Sequence, residues 1–280
     1  MDNKSPIKIH GGKSYLAEWI ISHFPPHIHY VEPFFGGGSV LLSKKPSQYK
    51  NVSEVVNDIH LELTNFWQVL QSPEEYPEFH RLCEVTPFSE VEFCLAKNNV
   101  PDPSITPRVR RAWKFFILAR QSRQGLQKDF ATLSRNRTRR GINEQISAWL
   151  SAIEGLEEIH KRLRTVVVLH DKAVNVIRKQ DGPNTFFYLD PPYLHETRET
   201  TKDYLHEMEF NDHVALLKVL ATIQGKFALS GYPSQLYHEY QNKHGWACDS
   251  KTIDAKSSSQ DEKPTRVECL WMNYDWRSLK

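Results

Sequence analysis

The chain lacks several features that would assign a protein to a class at once. It has 280 residues and four cysteines, and none of these cysteines shows the paired spacing typical of a zinc site. No apolar run is long enough to cross a membrane, and the first residues lack the apolar core of a signal peptide. The sequence also contains no internal repeat or low-complexity tract. We therefore expect a cytoplasmic protein without a metal site or a membrane segment.

The chain also lacks an overall charge that would select a partner, because its net charge is only +2. Positive charge is instead local. Between Arg108 and Arg140 the sequence has eleven lysines and arginines but a single acid, Asp129. This stretch predicts a surface that contacts nucleic-acid phosphates, with a solvated basic loop as the alternative. The arginines assigned to DNA binding are Arg120, Arg123, Arg135, Arg137, Arg139 and Arg140.

The most informative segment is Asp190-Pro191-Pro192-Tyr193, which directly follows an apolar run at residues 185–189. The run predicts a short buried strand, because it is rich in β-branched and aromatic residues and ends at two prolines. In an open α/β sheet, ligands bind at the carboxyl ends of the strands. A carboxylate, a carbonyl held by the prolines and a flat ring suit a planar aromatic amine. Alternatively, Asp190 caps a turn and the prolines only end the strand.

The exocyclic nitrogen of adenine fits this set of groups. Its lone pair is delocalised into the ring, so the nitrogen is a poor nucleophile. It becomes a better one when two acceptors receive hydrogen bonds from its two N–H groups. The carboxylate of Asp190 and the carbonyl of Pro191 can accept these hydrogens and stabilise the positive charge that develops during attack. The segment therefore predicts alkylation of an amino group without a strong base.

A second motif is a glycine-rich loop that follows an apolar strand start and leads into a predicted helix. Its residues are Glu32, Pro33, Phe34, Phe35, Gly36, Gly37 and Gly38. Glycines there let the backbone approach a ligand closely. Asp58 lies twenty residues after Gly38, at the end of a second predicted strand, and can bind ribose hydroxyls. The loop lacks the dinucleotide fingerprint and the ending of a phosphate loop, which favours an adenosine ligand without a pyrophosphate.

A third motif, Gly11-Gly12-Lys13, lies just ahead of a pattern with helical spacing and is otherwise a plain turn. Together the three motifs resemble the adenine-specific DNA methyltransferases that modify N6, a family that includes bacterial and phage DNA adenine methylases. Residues 11–13 match its N-terminal cofactor motif, residues 32–38 its S-adenosylmethionine loop, Asp58 its ribose-binding acid and residues 190–193 its catalytic motif. The order of the motifs agrees as well, and the resemblance spans nearly the whole chain.

This resemblance implies S-adenosylmethionine as cofactor, double-stranded DNA as substrate, and direct methyl transfer to an adenine that has left the duplex. It implies no obligate protein partner. It also adds Ile9, Asp171 and Asp190 to the cofactor contacts. Ile9 departs from the family, which usually has an aromatic residue at this place. Asp171 either contacts the adenine of the cofactor or caps a helix over residues 172–179.

Three other functions share parts of the pattern. Enzymes that methylate RNA adenine or a protein glutamine amide have related cofactor loops, and many carry Asn-Pro-Pro-Tyr. The aspartate at position 190, and the cofactor loop that precedes a long insert, favour DNA adenine. The third alternative is a non-catalytic nucleic-acid-binding module of the same fold, and the intact Asp190 and Tyr193 argue against it.

The predicted fold is α/β, a Rossmann-like S-adenosylmethionine-dependent methyltransferase sheet with an inserted, mostly helical target-recognition domain. Residues 1–60 and 164–280 form the catalytic domain, and residues 61–163 form the insert. Periodicity predicts helices at 61–70, 112–119 and 146–163, with an extended polar loop over 121–143. Buried strands are predicted at 166–169, 185–189 and 226–229, and a loop at 255–264.

Overall fold

A computed structural model describes residues 5–9, 11–45, 51–99, 101–194, 207–254 and 265–279. The chain divides into two compact units. The first unit comprises Met1–Glu18, Gly36–Gln48 and His60–His170. The second unit comprises Trp19–Phe35, Tyr49–Ile59 and Asp171–Lys280. The domain limits of 1–60, 61–163 and 164–280 remain a prediction beside this division.

The strands and helices of the described residues are named in chain order. The strands are β1 (His29–Glu32), β2 (Ser53–Asn57), β3 (Thr138–Arg139), β4 (Ile142–Asn143), β5 (Val166–Leu169), β6 (Thr185–Leu189), β7 (Lys226–Gly231), β8 (Ala247–Asp254) and β9 (Thr265–Met272). The helices are α1 (Ala17–Ile21), α2 (Ser39–Ser43), α3 (Leu61–Gln71), α4 (Tyr76–Val85), α5 (Glu90–Asn98), α6 (Arg108–Gln121), α7 (Glu144–Glu154), α8 (Leu156–Leu163), α9 (Ala173–Gln180), α10 (Phe210–Leu220) and α11 (Gln235–His244). Short 3₁₀ helices cover Arg123–Gly125 and Trp276–Leu279.

The second unit contains a mostly parallel sheet. Among the described residues of this unit, six strands form the sheet in the order β2-β1-β6-β7-β9-β8. Strands β2, β1, β6 and β7 are parallel, and β9 is antiparallel to both β7 and β8. All five residues of β6 are buried, as expected for a central strand that is covered on both faces.

The parallel arrangement brings chemically important segments of the second unit to one edge of the sheet. Val31 of β1 lies opposite both Val55 of β2 and Phe187 of β6, so these three strands end at similar levels. The residues that follow them are Pro33, Asp58 and Asp190. The carboxyl edge of a parallel sheet is therefore the place where the predicted site of this unit must lie.

The first unit is mostly helical and has an aromatic core. Phe66 of α3 stacks on Phe116 of α6 with ring centroids 6.0 Å apart and planes at 7°. Trp149 of α7 packs on the same phenylalanine at 5.1 Å. Arg111 adds a bidentate ion pair to Glu62, with Nη2 2.6 Å from Oε1. Helices α3, α6 and α7 are thus held by buried aromatic contacts, which periodic apolar residues make possible.

Several predicted elements are confirmed. The strands at 166–169, 185–189 and 226–229 and the helices at 61–70 and 112–119 are present. Two other points need correction: the helix predicted at 146–163 and the predicted burial of the strand at 166–169. The predicted helix at 146–163 is two helices, α7 and α8, which meet at Gly155. Strand β5 is not buried, because Val167 is 51% exposed. The predicted loop at 255–264 lies outside the described residues.

The predicted loop at 121–143 also needs correction, because it contains ordered elements. Helix α6 extends to Gln121, and a 3₁₀ turn follows. Strands β3 and β4 then pair as a hairpin in which Arg139 lies opposite Ile142. The two turn residues, Arg140 and Gly141, have φ angles of 58° and 76°. Positive φ at both positions is the geometry of a type I′ hairpin, and the prediction failed because the usual Asn-Gly signal is missing.

Candidate active site

The segment Asp190–Tyr193 leaves the end of β6 at the carboxyl edge of the sheet. Asp190 and Pro192 are half-buried, whereas Pro191 and Tyr193 are buried. Two prolines cannot donate to a sheet ladder, so pairing stops at Leu189, which is the last residue with a partner in β7. The aspartate carboxylate is thus placed at the strand end by local sequence, as predicted.

The hydroxyl of Tyr193 contacts two carboxylates. Its single hydrogen is shared between Oε1 of Glu268, the nearer acceptor, and Oδ1 of Asp190 at 3.3 Å. The ring lies edge to face against Tyr232, with centroids 4.5 Å apart. Burial, followed by the charges of Asp190 and Glu268, raises the pKa of Tyr193 well above its usual range, so the hydroxyl remains a donor. The resemblance implied a role for the segment 266–274, which contains Glu268, but sequence reasoning did not single out this acid within β9.

Asn57, at the end of β2, joins two loops of the second unit. Its Nδ2 donates to the carbonyls of Pro33 and Asp171, at 3.0 Å each. Its Oδ1 accepts from the backbone N–H of Asp171 at 2.9 Å, and its own carbonyl accepts from Phe35 N–H at 2.9 Å. The side chain is buried. Asn57 therefore fixes the loop after β1, a role that the sequence alone did not reveal.

Two further carboxylates lie at the ends of β1 and β2, since Glu32 is the last residue of β1 and Asp58 follows β2. Glu32 is buried and accepts a hydrogen bond from the Tyr30 hydroxyl at 2.9 Å. Burial, followed by the charge of Glu32, raises the pKa of Tyr30, so this hydroxyl stays protonated. Asp58 is half-buried and directly follows Asn57. A partly solvated carboxylate at a strand end is chemically suited to accept ribose hydroxyls.

The glycine loop is anchored within the first unit. Gly36 and Gly38 have φ angles of 50° and 68°, which L side chains rarely adopt. The carbonyl of Gly36 accepts from the indole N–H of Trp67 at 3.0 Å. A Cβ atom added at Gly36 would meet no described atom within 4 Å, so the backbone there is open to a ligand. Trp67 thus holds the glycine loop through a hydrogen bond, a role that the sequence alone did not reveal.

Ile9 and Gly12 lie close to this loop. A Cβ atom at Gly37 would be 3.9 Å from Cβ of Ile9, and one at Gly12 would be 3.3 Å from the Ile9 carbonyl. Lys13 is buried, and its Nζ donates to the Gly11 carbonyl at 3.2 Å. A Cβ atom at Gly12 would also be 4.0 Å from Oγ of Ser39, so this glycine lies next to the residue that follows the loop.

The carboxylate of Asp171 is engaged by the start of α9. Its Oδ1 accepts from Lys172 N–H at 2.7 Å and from Asn175 Nδ2 at 2.9 Å, and its Oδ2 lies 2.8 Å from Nζ of Lys179. The hydrogen bond from Lys179 is the largest of the causes that lower the pKa of Asp171 to about 2. These contacts favour the helix-terminal role, and the contact with the cofactor stays a prediction.

The predicted DNA-binding arginines differ in their surroundings. Arg123, Arg135, Arg137 and Arg139 are exposed. Arg140 is also exposed but forms a bidentate pair with Glu154, with both N–O distances 3.0 Å.

Arg120 is turned inward instead. Its guanidinium donates to the carbonyl of Ala148, and its Nε atom is buried without a hydrogen-bond partner among the described residues. Burial lowers the pKa of Arg120 to about 10. A phosphate contact by Arg120 therefore requires a change in its side chain, whereas the exposed arginines require none.

Comparisons with known proteins identify the family of this chain. A sequence profile of the D12 class N6 adenine-specific DNA methyltransferases matches residues 10–263. The chain belongs to this family. A type II methyltransferase, M1.LlaDCHI of Lactococcus lactis subsp. cremoris, is 28% identical over 271 residues, which cover 89% of each chain. The D12 methyltransferase family acts on adenine N6 in DNA, and its reaction requires a methyl donor.

A solved structure, the precorrin 8W decarboxylase of Methanobacterium thermoautotrophicum, covers 96% of this chain and 94% of its own. Its TM-score is 0.38 and its identity 10%, so it bears on neither fold nor function. The mixed, mostly parallel sheet of this D12 methyltransferase is compatible with a Rossmann-like methyltransferase. None of the described helices is both long and apolar enough to span a membrane.

Proposed function

We propose that this chain transfers a methyl group from S-adenosylmethionine to N6 of an adenine that has left a DNA duplex. The observation that carries the proposal is the position of Asp190 and the two prolines at the carboxyl end of β6, the edge at which parallel α/β sheets bind ligands. Extrusion is part of the proposal because the amino group is paired and stacked inside the duplex. The reaction takes place in the cytoplasm, where DNA and donor are present.

In this mechanism Asp190 and the Pro191 carbonyl accept hydrogen bonds from the two N–H groups of adenine N6. The lone pair then concentrates on nitrogen, and the carboxylate stabilises the positive charge that grows there as the N–C bond forms and the methyl–sulfur bond of the donor breaks. The methylated nitrogen then loses one proton to Asp190 or to water. Pro192 restricts the backbone that presents the carbonyl. The ring of Tyr193 stacks on the base, which requires the ring to be uncovered because it is only 6% exposed in this structure.

The residues near the glycine loop fit a nucleoside with an amino-acid tail. S-adenosylmethionine, when bound, supplies the methyl group as an electrophile. Gly36 and Gly38, with positive φ angles and open space at Gly36, allow a close approach to the backbone. Glu32 and Lys13 add one charge of each sign, which suits a methionine group that carries both, and Pro33 and Phe34 complete the loop.

The remaining cofactor contacts are assigned to Asp58 for the ribose hydroxyls and to Ile9, Gly11 and Gly12 beside the loop. Asp171 is retained as a secondary contact, since its carboxylate already has partners in α9. The carboxylates and backbone carbonyls can accept hydrogen bonds from the hydroxyls and the ammonium group of the cofactor, and the lysine can donate to its carboxylate.

We further propose that the helical residues 61–163 recognise the DNA target and that residues 1–60 and 164–280 bind the cofactor and perform the reaction. The exposed arginines at positions 123, 135, 137 and 139 contact phosphates in this proposal. Arg140 joins them if its pair with Glu154 exchanges for a phosphate, and Arg120 if its side chain rotates outward. The partner is double-stranded DNA, and no obligate protein partner is included.

The experiment compares three substrates. The purified chain is incubated with S-adenosylmethionine and duplex DNA, with RNA of the same sequence, or with a glutamine-containing peptide, and the products are identified by mass spectrometry. We expect N6-methyladenine in DNA alone. Methyl transfer only to RNA or peptide would contradict the proposal. Long-read sequencing of DNA from cells that express the parent or Asp190→Ala then locates the methylated sequence.

A further inference from the structure

Glu268 is a buried acid in a sheet strand that is otherwise apolar on its C-terminal side. Glu268 is only 1% exposed. The residues that follow it in β9 are also buried: Cys269, Leu270, Trp271 and Met272. Burial of a carboxylate costs several kcal/mol unless hydrogen bonds compensate. Such a group is therefore stable only where donors are provided for it.

The register of the sheet places Glu268 at the catalytic edge. Cys269 lies opposite Gly231, the last residue of β7, so Glu268 is level with Tyr232 just beyond that strand. Leu189 of β6 lies opposite Leu229 of β7, which puts Asp190 at the level of Ser230. Although β9 runs antiparallel, it thus delivers an acid to the edge where the parallel strand β6 delivers Asp190.

The contacts of Glu268 lead directly to Asp190. The single hydrogen of the Tyr193 hydroxyl is shared between Glu268, the nearer acceptor, and Oδ1 of Asp190 at 3.3 Å. Two residues before Glu268, the guanidinium carbon of Arg266 lies 5.8 Å from the centroid of the Tyr232 ring, on which Tyr193 packs. Alternate residues of β9 therefore hold both tyrosines, one through a cation–π contact and one through a hydrogen bond.

We infer that Glu268 is a positioning residue for the methyl-transfer reaction. It holds the hydroxyl of Tyr193, and the hydroxyl in turn restrains the carboxylate of Asp190 in the orientation that receives the amino group. This inference rests on the proposed function of Asp190. It assigns to the hydroxyl of Tyr193 a task that is separate from any stacking by its ring.

A displaced carboxylate has a large effect on a reaction that depends on fixed electrostatic groups. Misplacement by about 1 Å can reduce a rate about 100-fold, even when substrates still bind. Loss of Glu268 should therefore slow the chemical step and leave the affinity for cofactor and DNA nearly unchanged. A purely structural role would instead lower stability and affinity together.

The test is a double-variant cycle with Glu268→Gln, Tyr193→Phe and the combination, measured by single-turnover methylation of duplex DNA. Glutamine keeps the size of the side chain, removes the charge and replaces the carboxylate that accepts the Tyr193 hydrogen by a weaker neutral acceptor. We expect each single variant to lose about 10- to 100-fold in rate. The combined variant should lose no more than the worse single variant, because both changes break one chain of contacts. Cofactor and DNA affinities are measured by calorimetry in parallel.

Asp249→Asn is the matched control. Asp249 lies in β8 of the same unit and accepts hydrogen bonds from His23 at 2.9 Å and from Trp19 at 3.3 Å. Its amide variant should lower the thermal unfolding midpoint without changing the single-turnover rate, so it separates lost stability from lost positioning.

Three results would overturn the inference: a parental rate for Glu268→Gln, losses that multiply in the combined variant, or a loss of cofactor affinity as large as the loss of rate. Each of these is distinguishable from failure of the proposed function. If the parent chain methylates DNA adenine and Asp190→Ala does not, the proposed function stands even when Glu268→Gln is fully active. If the parent does not methylate DNA adenine, the proposed function itself fails.

Discussion

The end of β6 and the basic segment at residues 120–140 both carry predicted functional residues, yet their side chains are held very differently. At the strand end Tyr193 is buried, and its hydroxyl contacts two carboxylates. In the basic segment Arg135, Arg137 and Arg139 are exposed. One region fixes its groups in place, and the other presents charge to the solvent.

The difference follows from what each task requires. Charge that develops on a single nitrogen atom is stabilised only by groups at fixed positions. Attraction to phosphates acts over roughly 8 Å at physiological ionic strength and tolerates mobile side chains. Changes at the strand end should therefore lower the rate at constant affinity, whereas changes in the basic segment should lower affinity at constant rate.

The largest expected effect is that of Asp190→Ala. Removal of the carboxylate should reduce single-turnover methylation by on the order of 100-fold or more, as for other preorganised groups that stabilise transition-state charge. Cofactor and DNA affinities should remain close to those of the parent in calorimetry. Asp190→Asn is the matched variant, since it keeps the shape and one acceptor. Near-parental methylation by Asp190→Ala would remove this residue from the reaction.

The basic segment is tested by salt dependence. We replace three arginines together by Gln: Arg135, Arg137 and Arg139. The slope of log affinity against log salt should become less steep by about three units, nearly one for each lost phosphate contact. The rate at saturating DNA should not change. Arg178→Gln, which alters an exposed arginine of α9, serves as the control. Equal slopes for the triple variant and the parent would show that the segment does not touch the backbone.

Tyr193 belongs to both kinds of task, and its variants can separate them. A fluorescent adenine analogue at the target position brightens when the base leaves the stack. Tyr193→Ala should lose roughly 1–3 kcal/mol of stacking and much of this signal, whereas Tyr193→Phe keeps the ring and should keep the signal. The Phe variant should nevertheless methylate slowly, because it lacks the hydroxyl that contacts Asp190 and Glu268. A Phe variant that extrudes the base as poorly as Ala would argue against stacking.

Cofactor binding provides a comparison between two aspartates. Asp58→Ala should weaken S-adenosylmethionine binding by roughly 1–3 kcal/mol, since it removes the proposed acceptor of the ribose hydroxyls. Asp171→Ala should weaken it less, because that carboxylate is already bonded to Lys172, Asn175 and Lys179. Calorimetry measures both. Unchanged affinity for Asp58→Ala would exclude Asp58 from the site, and equal losses would place Asp171 in it.

The smallest effect concerns pH. The hydrogen bond from Lys179 is the main cause that lowers the pKa of Asp171 from 3.8 to about 2. A folded-state pKa below the unfolded value stabilises the protein above about pH 4, and this contribution is lost as pH falls through about 2. Carboxyl NMR titration should show the lowered pKa, and Lys179→Ala should raise it. A midpoint near 3.8 in the parent would show that the contacts do not persist in solution.

Much of the sheet was predictable from local sequence. The apolar runs at 166–169, 185–189 and 226–229 are strands, because length and β-branched or aromatic residues decided each of them. The errors have local causes too. Gly155 divides a pattern that reads as one helix, and Arg140–Gly141 forms a type I′ turn without its usual residues.

The sequence by itself determined where the acid of the catalytic motif would lie. Prolines act on the residues next to them, and a short apolar run rich in aromatic residues that ends at two prolines favours a sheet strand, so Asp190 was expected to follow the end of a strand. The glycines at 36–38 predicted a loop because glycine adopts backbone angles that other residues rarely do. Gly36 and Gly38 have positive φ angles.

Only the tertiary structure decided which side chains surround these positions. Glu268 reaches Tyr193 across 75 residues of sequence, and Asn57 reaches Asp171 across 114. Strand order brings them together, since β9 lies beside β7 and β7 beside β6, and no periodicity in the chain encodes that order. The same holds for Arg120, whose charge suggested a phosphate contact. Packing against the Ala148 carbonyl turned it inward, because burial depends on neighbours that are distant in the sequence.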